Sequence, residues 1–320
     1  MRYSMQFLTT GPLYVSWNYT YACNFNCNHC YSRAASYPVE LSTRQYENVV
    51  NQIIEARVFK VGLGGGEPLI RRDCLDIIAR LSNAGVDTNV TTNGWLVDDF
   101  MSEKLAASGL NTLYVSLDNT DEVEHDNFRN KNGSYKKAIQ AMKSSVKHGI
   151  SVQLSTVVTS VNFDKLAYFV EIAEQIGING IEFKRFRPSG NGLKSKKKYL
   201  LLEAQEQLLR DEVSRLQERY KVNIALIYGA ESDGGVDSGC PCGTKSICIR
   251  PNGDVSPCAY GETVIGNLIQ QSLAEIWQKS PVLKTIRDGG GCIALHDQKA
   301  PSNPYLQSGS TTFSEITVNL

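Results

Sequence analysis

Apolar positions along the chain fall into short runs separated by longer amphipathic stretches. Six runs predict buried strands: LYVSW (13–17), VFKVGLGG (58–65), VDTNVTTN (86–93), LYVSLD (113–118), SVQLSTVV (151–158) and GIEFKRF (180–186). Between them, RQYENVVNQIIEA (44–56), LDIIARLSNAG (75–85), YKKAIQAMKSSVKHG (135–149) and FDKLAYFVEIAEQIG (163–177) carry helical spacing. Gly85, Gly109, Gly149 and Gly177 each follow a helical run, where a C-terminal cap belongs. Strands joined by crossovers of helical length imply a parallel sheet, either open or curled into a barrel.

The rhythm breaks at RPSGNGLKSKKKY (187–199), rich in Pro, Gly and Lys. A helix over 202–220 and a strand over 222–229 follow. ICIRPNGDVSPC then reads as a hairpin turning at Asn252-Gly253. The last 25 residues or so are polar and are expected to be partly disordered. The expected organisation is an α/β core over 1–190, a linking helix and strand over 191–230, a small cysteine-bearing unit over 231–295 and a polar tail over 296–320.

Composition narrows this little. The chain has 320 residues, 42% hydrophobic and 21% charged, which suits a globular protein with a sizeable core. Lys+Arg and Asp+Glu both number 33, so nothing in the net charge argues for nucleic acid or an anionic membrane as partner. No run has the length of a membrane span or a signal peptide, and a cytoplasmic location is expected. The nine cysteines change the picture. Three lie at 23–30 and four at 240–258, with Cys74 and Cys292 alone, a clustering that points to metal or iron–sulfur ligation.

Cys23, Cys27 and Cys30 are spaced C-x3-C-x2-C. A closed zinc site or a fully protein-ligated cluster needs four ligands. Three thiolates on a four-iron cubane leave one iron open to an outside ligand, and short spacings allow one loop to supply them. The bland alternative is zinc completed by His29 or a distant residue, but His29 sits between ligands and folds back onto the same metal only with difficulty. GLGGGEPL (62–69) then closes the second strand, and its three glycines let backbone groups approach a ligand closely.

On these two motifs the chain resembles the radical S-adenosylmethionine (SAM) enzymes, over residues 13 to about 187. The resemblance implies a partial (β/α)6 barrel of parallel strands and a [4Fe–4S] cluster whose open iron is chelated by the amino and carboxylate groups of SAM. One electron then splits the sulfonium, and a 5′-deoxyadenosyl radical abstracts a substrate hydrogen. By position, Gly65, Gly66 and Glu67 would hold the SAM amino group, and Ser116 and Arg129 its carboxylate. Asn93 and Asp118 would lie near the ribose or substrate, with Asp118 the one candidate for a catalytic role. Each also has a plainer reading: Asn93-Gly94 as a turn, Asp118 as a helix cap, Arg129 as a surface cation. Tyr31 is expected to pack beside the cysteine loop.

Farther on, Cys242, Gly253 and Cys258 resemble the opening of the SPASM and twitch extensions, which carry auxiliary iron–sulfur clusters. SLAEIWQKSP (272–281) resembles their next helix, and Gly290-Gly291-Cys292 their returning cysteine. The second CxxCxxxxxC run of a full SPASM domain is absent, so a truncated α+β extension with one auxiliary [4Fe–4S] cluster is expected. Cys242, Cys258 and Cys292 would be its ligands. The fourth iron would take Cys240 or the substrate; a zinc clip or simply buried thiols is the alternative. Cys248 and Cys74 read as core.

The resemblance is nearest to peptide-maturing radical SAM enzymes of the mycofactocin maturase type, through SWNYTYACNFNCNHC, ELSTRQ (40–45) and RFRPSGNG (185–192). It implies oxidation, decarboxylation, crosslinking or epimerisation of a ribosomal peptide. The small-molecule alternative is a decarboxylase or dehydrogenase acting on a haem precursor or an aminocyclitol intermediate. A non-catalytic iron–sulfur electron carrier is the reading from another class, and it leaves the GGEP loop without a purpose. An external electron donor (flavodoxin or ferredoxin) is implied. With 22 residues before Cys23, a leader-peptide-binding function would fall to a separate protein.

Overall fold

A computed structural model describes residues 10–32, 36–227 and 240–289. Strand β1 (Tyr14–Thr20) is followed by helix α1 (Thr43–Glu55), β2 (Lys60–Gly65), α2 (Cys74–Asn83), β3 (Asp87–Thr92) and α3 (Asp99–Ala107). Then come β4 (Thr112–Ser116), α4 (Glu122–Arg129), α5 (Ser134–Lys147), β5 (Ser151–Val158), α6 (Leu166–Ile176) and β6 (Gly180–Arg185). The rest comprises α7 (Lys196–Tyr199), α8 (Glu203–Arg219), β7 (Asn223–Ile227), β8 (Ser246–Ile249), β9 (Asp254–Ser256), β10 (Gly266–Asn267), α9 (Leu273–Lys279) and α10 (Pro281–Arg287).

The ten strands among the described residues share one sheet, ordered β10-β9-β8-β1-β2-β3-β4-β5-β6-β7. Strands β1 to β6 are parallel in chain order, as the alternation predicts. Two features extend this partial barrel. Strand β7, expected in a linker, pairs parallel with β6, and α8 packs on it as another crossover helix. At the other edge β8 pairs parallel with β1, matching Ser16 to Cys248 and Trp17 to Ile249. The cysteine-bearing extension is therefore stitched to the barrel's first strand.

The core lies between the sheet and its helices. Helix α1 shows why these residues form it. Ser42 and Gln45 make a reciprocal capping box, and Tyr46, Val49, Val50 and Ile53 recur at helical spacing on the buried face. Burying each such side chain stabilises by roughly 1.5–3 kcal/mol. The ring of Tyr46 meets Trp17 and Tyr19 of β1 at 5.1 and 4.9 Å. Helix α3 is the element that apolar spacing marks least, signalled only by the glycine after it. It buries only Ser102 and Leu105, and its start is fixed by the Asp98 carboxylate accepting from the Met101 amide.

The hairpin turn differs from the two-residue form that Asn-Gly suggests. Gly253 takes the left-handed conformation (φ +85°), but Asn252 is not among the residues with positive φ. Gly253 N–H donates to Arg250 O at 2.9 Å, and Arg250 N–H to Asp254 O at 2.8 Å. Pro251 and Asn252 thus form a type I turn, and Gly253 adds the bulge that rejoins the strands.

Candidate functional site

Parallel strands place their C-terminal ends on one edge of the sheet, and in such sheets ligands gather there. Here that edge carries the cysteine loop after β1, Gly65-Gly66-Glu67 after β2, Asn93 after β3, Ser116 at the end of β4 and Arg187 after β6. They surround one cavity of about 490 Å³. Cys240, Cys242 and Cys258 line the same cavity. Cys292 lies outside the described residues, as do Gly290 and Gly291.

The glycine turn is pressed against the cysteine loop. Gly66 and Glu67 donate their N–H groups to Thr20 O at 2.7 Å and Ala22 O at 2.8 Å. A Cβ at Gly66 would lie 2.0 Å from Ala22 O, so only glycine permits this approach, while Gly65 has φ +101°. Gly64 faces open space, with nothing within 4 Å of a Cβ placed there.

Glu67 is buried, and its carboxylate accepts from Thr92 Oγ1 and the Asn93 N–H, both at 2.8 Å. Burial pushes its pKa up to about 7, although these hydrogen bonds oppose the rise. The Glu67 side chain thus clamps β2 to β3. Asn93 continues the clamp, with its Nδ2 donating to Asn24 Oδ1 at 2.8 Å. Asn24, between the first two cysteines, was not anticipated; no spacing rule marks it.

Asp118 stands apart from the other candidate residues. It does not line the cavity, and its side chain is wholly buried behind it. Its Oδ2 accepts from Arg129 Nε at 2.6 Å, and its Oδ1 from the Val157 N–H at 2.8 Å. Burial alone would raise its pKa, but the Arg129 guanidinium beside it holds it below the usual carboxylate range. Asp118 is therefore placed to orient Arg129. Arg129 and Ser116 do line the cavity, and Ser116 pairs across the sheet with Ser155, a further lining residue.

The thiols differ between the two groups. Burial pushes Cys27 up to about 12. His29 stacks on Phe128 with centroids 4.3 Å apart, and burial lowers its pKa to about 4, so it is a neutral wall residue. Among the described residues no three His, Cys, Asp or Glu side chains are arranged to hold a single metal ion. In the second group the Cys242 thiol is hydrogen-bonded to Cys240 and Cys258, which lowers the pKa of both and raises its own. Cys240 thus joins Cys242 and Cys258. Cys248 is buried in β8, and Cys74 in α2.

Two aromatic residues join the groups. Tyr31, next to Cys30, meets Tyr260 with ring centroids 5.0 Å apart, and the Tyr260 N–H points at Cys258 Sγ, 3.4 Å away. Arg187 lies over the Tyr260 ring at 4.6 Å. Sequence reading missed Tyr260 and Arg187 because only the β8–β1 pairing brings the hairpin to the end of β6. No helix among the described residues is long and apolar enough to cross a membrane.

Comparison with known proteins places these features. A family model described as the Radical SAM superfamily matches residues 17–176, and one described as an iron–sulfur cluster-binding domain, SPASM, matches residues 240–303. The AdoMet-dependent heme synthase of Methanosarcina barkeri is 27% identical over 88% of this chain and 86% of its own. Mycofactocin maturase MftC of Mycobacterium ulcerans is 29% identical over 88% of this chain and 79% of its own. Streptococcus suis SuiB bound to S-adenosylmethionine superposes with a TM-score of 0.76 at 18% identity, covering 93% of this chain and 78% of SuiB. SuiB bound to its precursor peptide SuiA gives 0.74 at 19%, covering 93% and 76%.

Proposed function

The chain belongs to the radical SAM superfamily, an enzyme family working with a [4Fe–4S] cluster and SAM, and from that membership we propose that it modifies a peptide. The observation that carries the proposal is the single cavity lined by both cysteine groups. A substrate entering it meets the first group on one wall and the second on the other.

In this reading Cys23, Cys27 and Cys30 hold the SAM-binding cluster. The backbone of Gly65, Gly66 and Glu67 receives the SAM amino group; Ser116 and Arg129 receive its carboxylate, with Asn93 beside them. Asp118 keeps Arg129 charged and oriented through the Nε bond. Bound there, a reduced cluster would supply the electron for cleavage of SAM to the 5′-deoxyadenosyl radical that takes a substrate hydrogen. Cys240, Cys242, Cys258 and, beyond the described residues, Cys292 hold one auxiliary [4Fe–4S] cluster. Their mutual contact lowers the pKa of Cys240 and Cys258 and raises that of Cys242, whose proton the cluster would have to displace.

A peptide is favoured by the relatives, among them a maturase, and by the structural likeness to SuiB, which has been captured with a precursor peptide. Arg187 adds a local reason: it lines the cavity, stacks on Tyr260 and has no carboxylate partner among the described residues. It suits an acidic group on an incoming chain. The second reading, a carboxylated small molecule such as a haem precursor, has the heme synthase likeness in its favour.

The test is anaerobic reconstitution, reduction and incubation with SAM and short peptides encoded beside this gene, with a carboxylated porphyrin in parallel. The proposal predicts a mass change in a peptide, matched by 5′-deoxyadenosine. A change in the porphyrin alone would overturn it.

A further inference from the structure

Residues 183–202 carry seven cations (Lys184, Arg185, Arg187, Lys194, Lys196, Lys197 and Lys198) and no acidic residue, in a chain whose net charge is zero. Lys184 and Arg185 are accounted for by ion pairs with Glu182 and Glu206. The four lysines at 194–198 are exposed, and none makes an ion pair among the described residues. A lysine run is usually just a solvated face. What sets this one apart is where the chain holds it.

The segment leading into the lysines lies against the first cysteine loop. Asn191 N–H donates to Cys30 O at 2.9 Å, and Asn191 Nδ2 donates to Cys27 O at 3.1 Å and to Asn26 Oδ1 at 2.9 Å. Gly192 packs with no room to spare: a Cβ there would lie 3.1 Å from the Phe186 ring and 3.3 Å from His29 O. Asn26, between Cys23 and Cys27, is exposed, so the cysteine loop reaches the surface at this point. Lys194 closes the turn at Gly190–Leu193, and Lys196, Lys197 and Lys198 lie in α7 directly after it. The Ser160 N–H donates to Tyr199 O at 3.1 Å, anchoring the far end of the segment; the loop it belongs to adds Asp164 and Lys165.

We propose that this lysine segment, pinned by Asn191 to the backbone of Cys27 and Cys30, is the docking surface for an acidic one-electron carrier protein. The carrier is oxidised by one electron and the cluster at Cys23, Cys27 and Cys30 is reduced by one, with no bond made or broken. Clustered like charge beside a redox centre speeds encounter with an oppositely charged partner by about 10- to 1,000-fold at low salt, and salt screens the gain. The assignment rests on the cluster reading of these cysteines.

The test uses the reconstituted full chain and the hydroquinone form of a recombinant acidic flavodoxin, with bleaching of the cluster absorbance followed by stopped flow. The proposal predicts a wild-type rate that falls as salt rises. It also predicts a rate reduced tenfold or more at low salt when Lys194, Lys196, Lys197 and Lys198 are all changed to Glu. Reduction by dithionite and iron content stay at wild-type levels. Should the fourfold variant fail to fold, Lys196→Gln with Lys197→Gln reports the same effect at about threefold. A salt-independent wild-type rate, an unchanged rate in the variants, or no reduction by the flavodoxin overturns the proposal. So does wild-type flavodoxin reduction by the variants combined with lysine-dependent binding to phosphatidylserine vesicles, which would assign the patch to a membrane surface. Failure of dithionite to bleach the unmodified protein would instead contradict the cluster reading.

Discussion

The two cysteine groups face one cavity but are built differently. The loop at 23–30 is braced from several directions: by Thr20 and Ala22 against the glycine turn, by Asn24 against Asn93, and by Asn191 across its far side. The group at 240–258 has fewer such braces: Lys245 O accepts from the Leu13 N–H at 2.8 Å, and within its own turn Pro241 O accepts from the Lys245 and Ser246 N–H groups at 2.8 and 2.9 Å. Its thiols hydrogen-bond to one another. A site that must hold a reactive cofactor in one orientation is braced by the scaffold around it; a site whose ligands already share protons is organised by the metal that replaces those protons.

The largest predicted contrast follows. Changing Cys23, Cys27 and Cys30 together to Ala should abolish 5′-deoxyadenosine formation, a loss of at least about a thousandfold, because the first cluster loses all three of its thiolates. Iron should fall by about half, because the second group keeps its own. Chromatographic assay of the nucleoside and iron analysis check both.

Next comes Arg129→Ala, which strikes the bracing directly. It leaves Asp118 buried without its cation, at a cost of about 3–5 kcal/mol in stability. SAM binding should weaken by about ten- to a hundredfold, the value of a charge-assisted contact of 1.5–3 kcal/mol. Pairing Arg129→Met with Asp118→Asn should restore most of the stability and none of the SAM affinity. Denaturation and equilibrium binding separate the two effects; a restored SAM affinity would remove Arg129 from the site.

A pH experiment sharpens the same contrast. Glu67 has its pKa raised by burial from 4.5 to about 7 in the folded chain. Its protonated form is the one the fold prefers, so its stabilising contribution is full below about 4.5 and is lost as pH rises to about 7. The loss amounts to about 3 kcal/mol. Wild type should therefore lose stability relative to Glu67→Gln between pH 5 and 7.5, visible as a falling difference in Tm. A constant difference would mean that the Thr92 and Asn93 hydrogen bonds already cancel the burial.

How much of this could be read from the residues alone follows the same division. The six barrel strands, the cysteine loop and the glycine turn were legible, because strand alternation, short cysteine spacing and steric demand are all local. Asp118 sits at a strand end, where cofactor contacts are common. Only the folded chain turns it inward to Arg129. The roles of Asn24, Tyr260, Arg187 and Asn191 arise from contacts between distant segments, above all the pairing of β8 with β1, which no periodicity announces. Strand β7 was seen as a strand, but its place beside β6 was not.

The smallest predicted effect concerns Cys248, buried in β8 opposite Ser16. Cys248→Ala should lower stability by about 1 kcal/mol through lost packing and leave iron unchanged. A loss of iron would make it a ligand.

The account's central claim is that two separate clusters share one cavity and only the first acts on SAM. The most direct test is ⁵⁷Fe Mössbauer quantification of reconstituted Cys242→Ala/Cys258→Ala protein, with 5′-deoxyadenosine measured on the same sample. The account predicts iron falling from about eight to about four atoms per chain, as expected on losing one four-iron cluster, while reductive SAM cleavage persists. Iron unchanged from wild type, or SAM cleavage lost along with the second cluster, would contradict it.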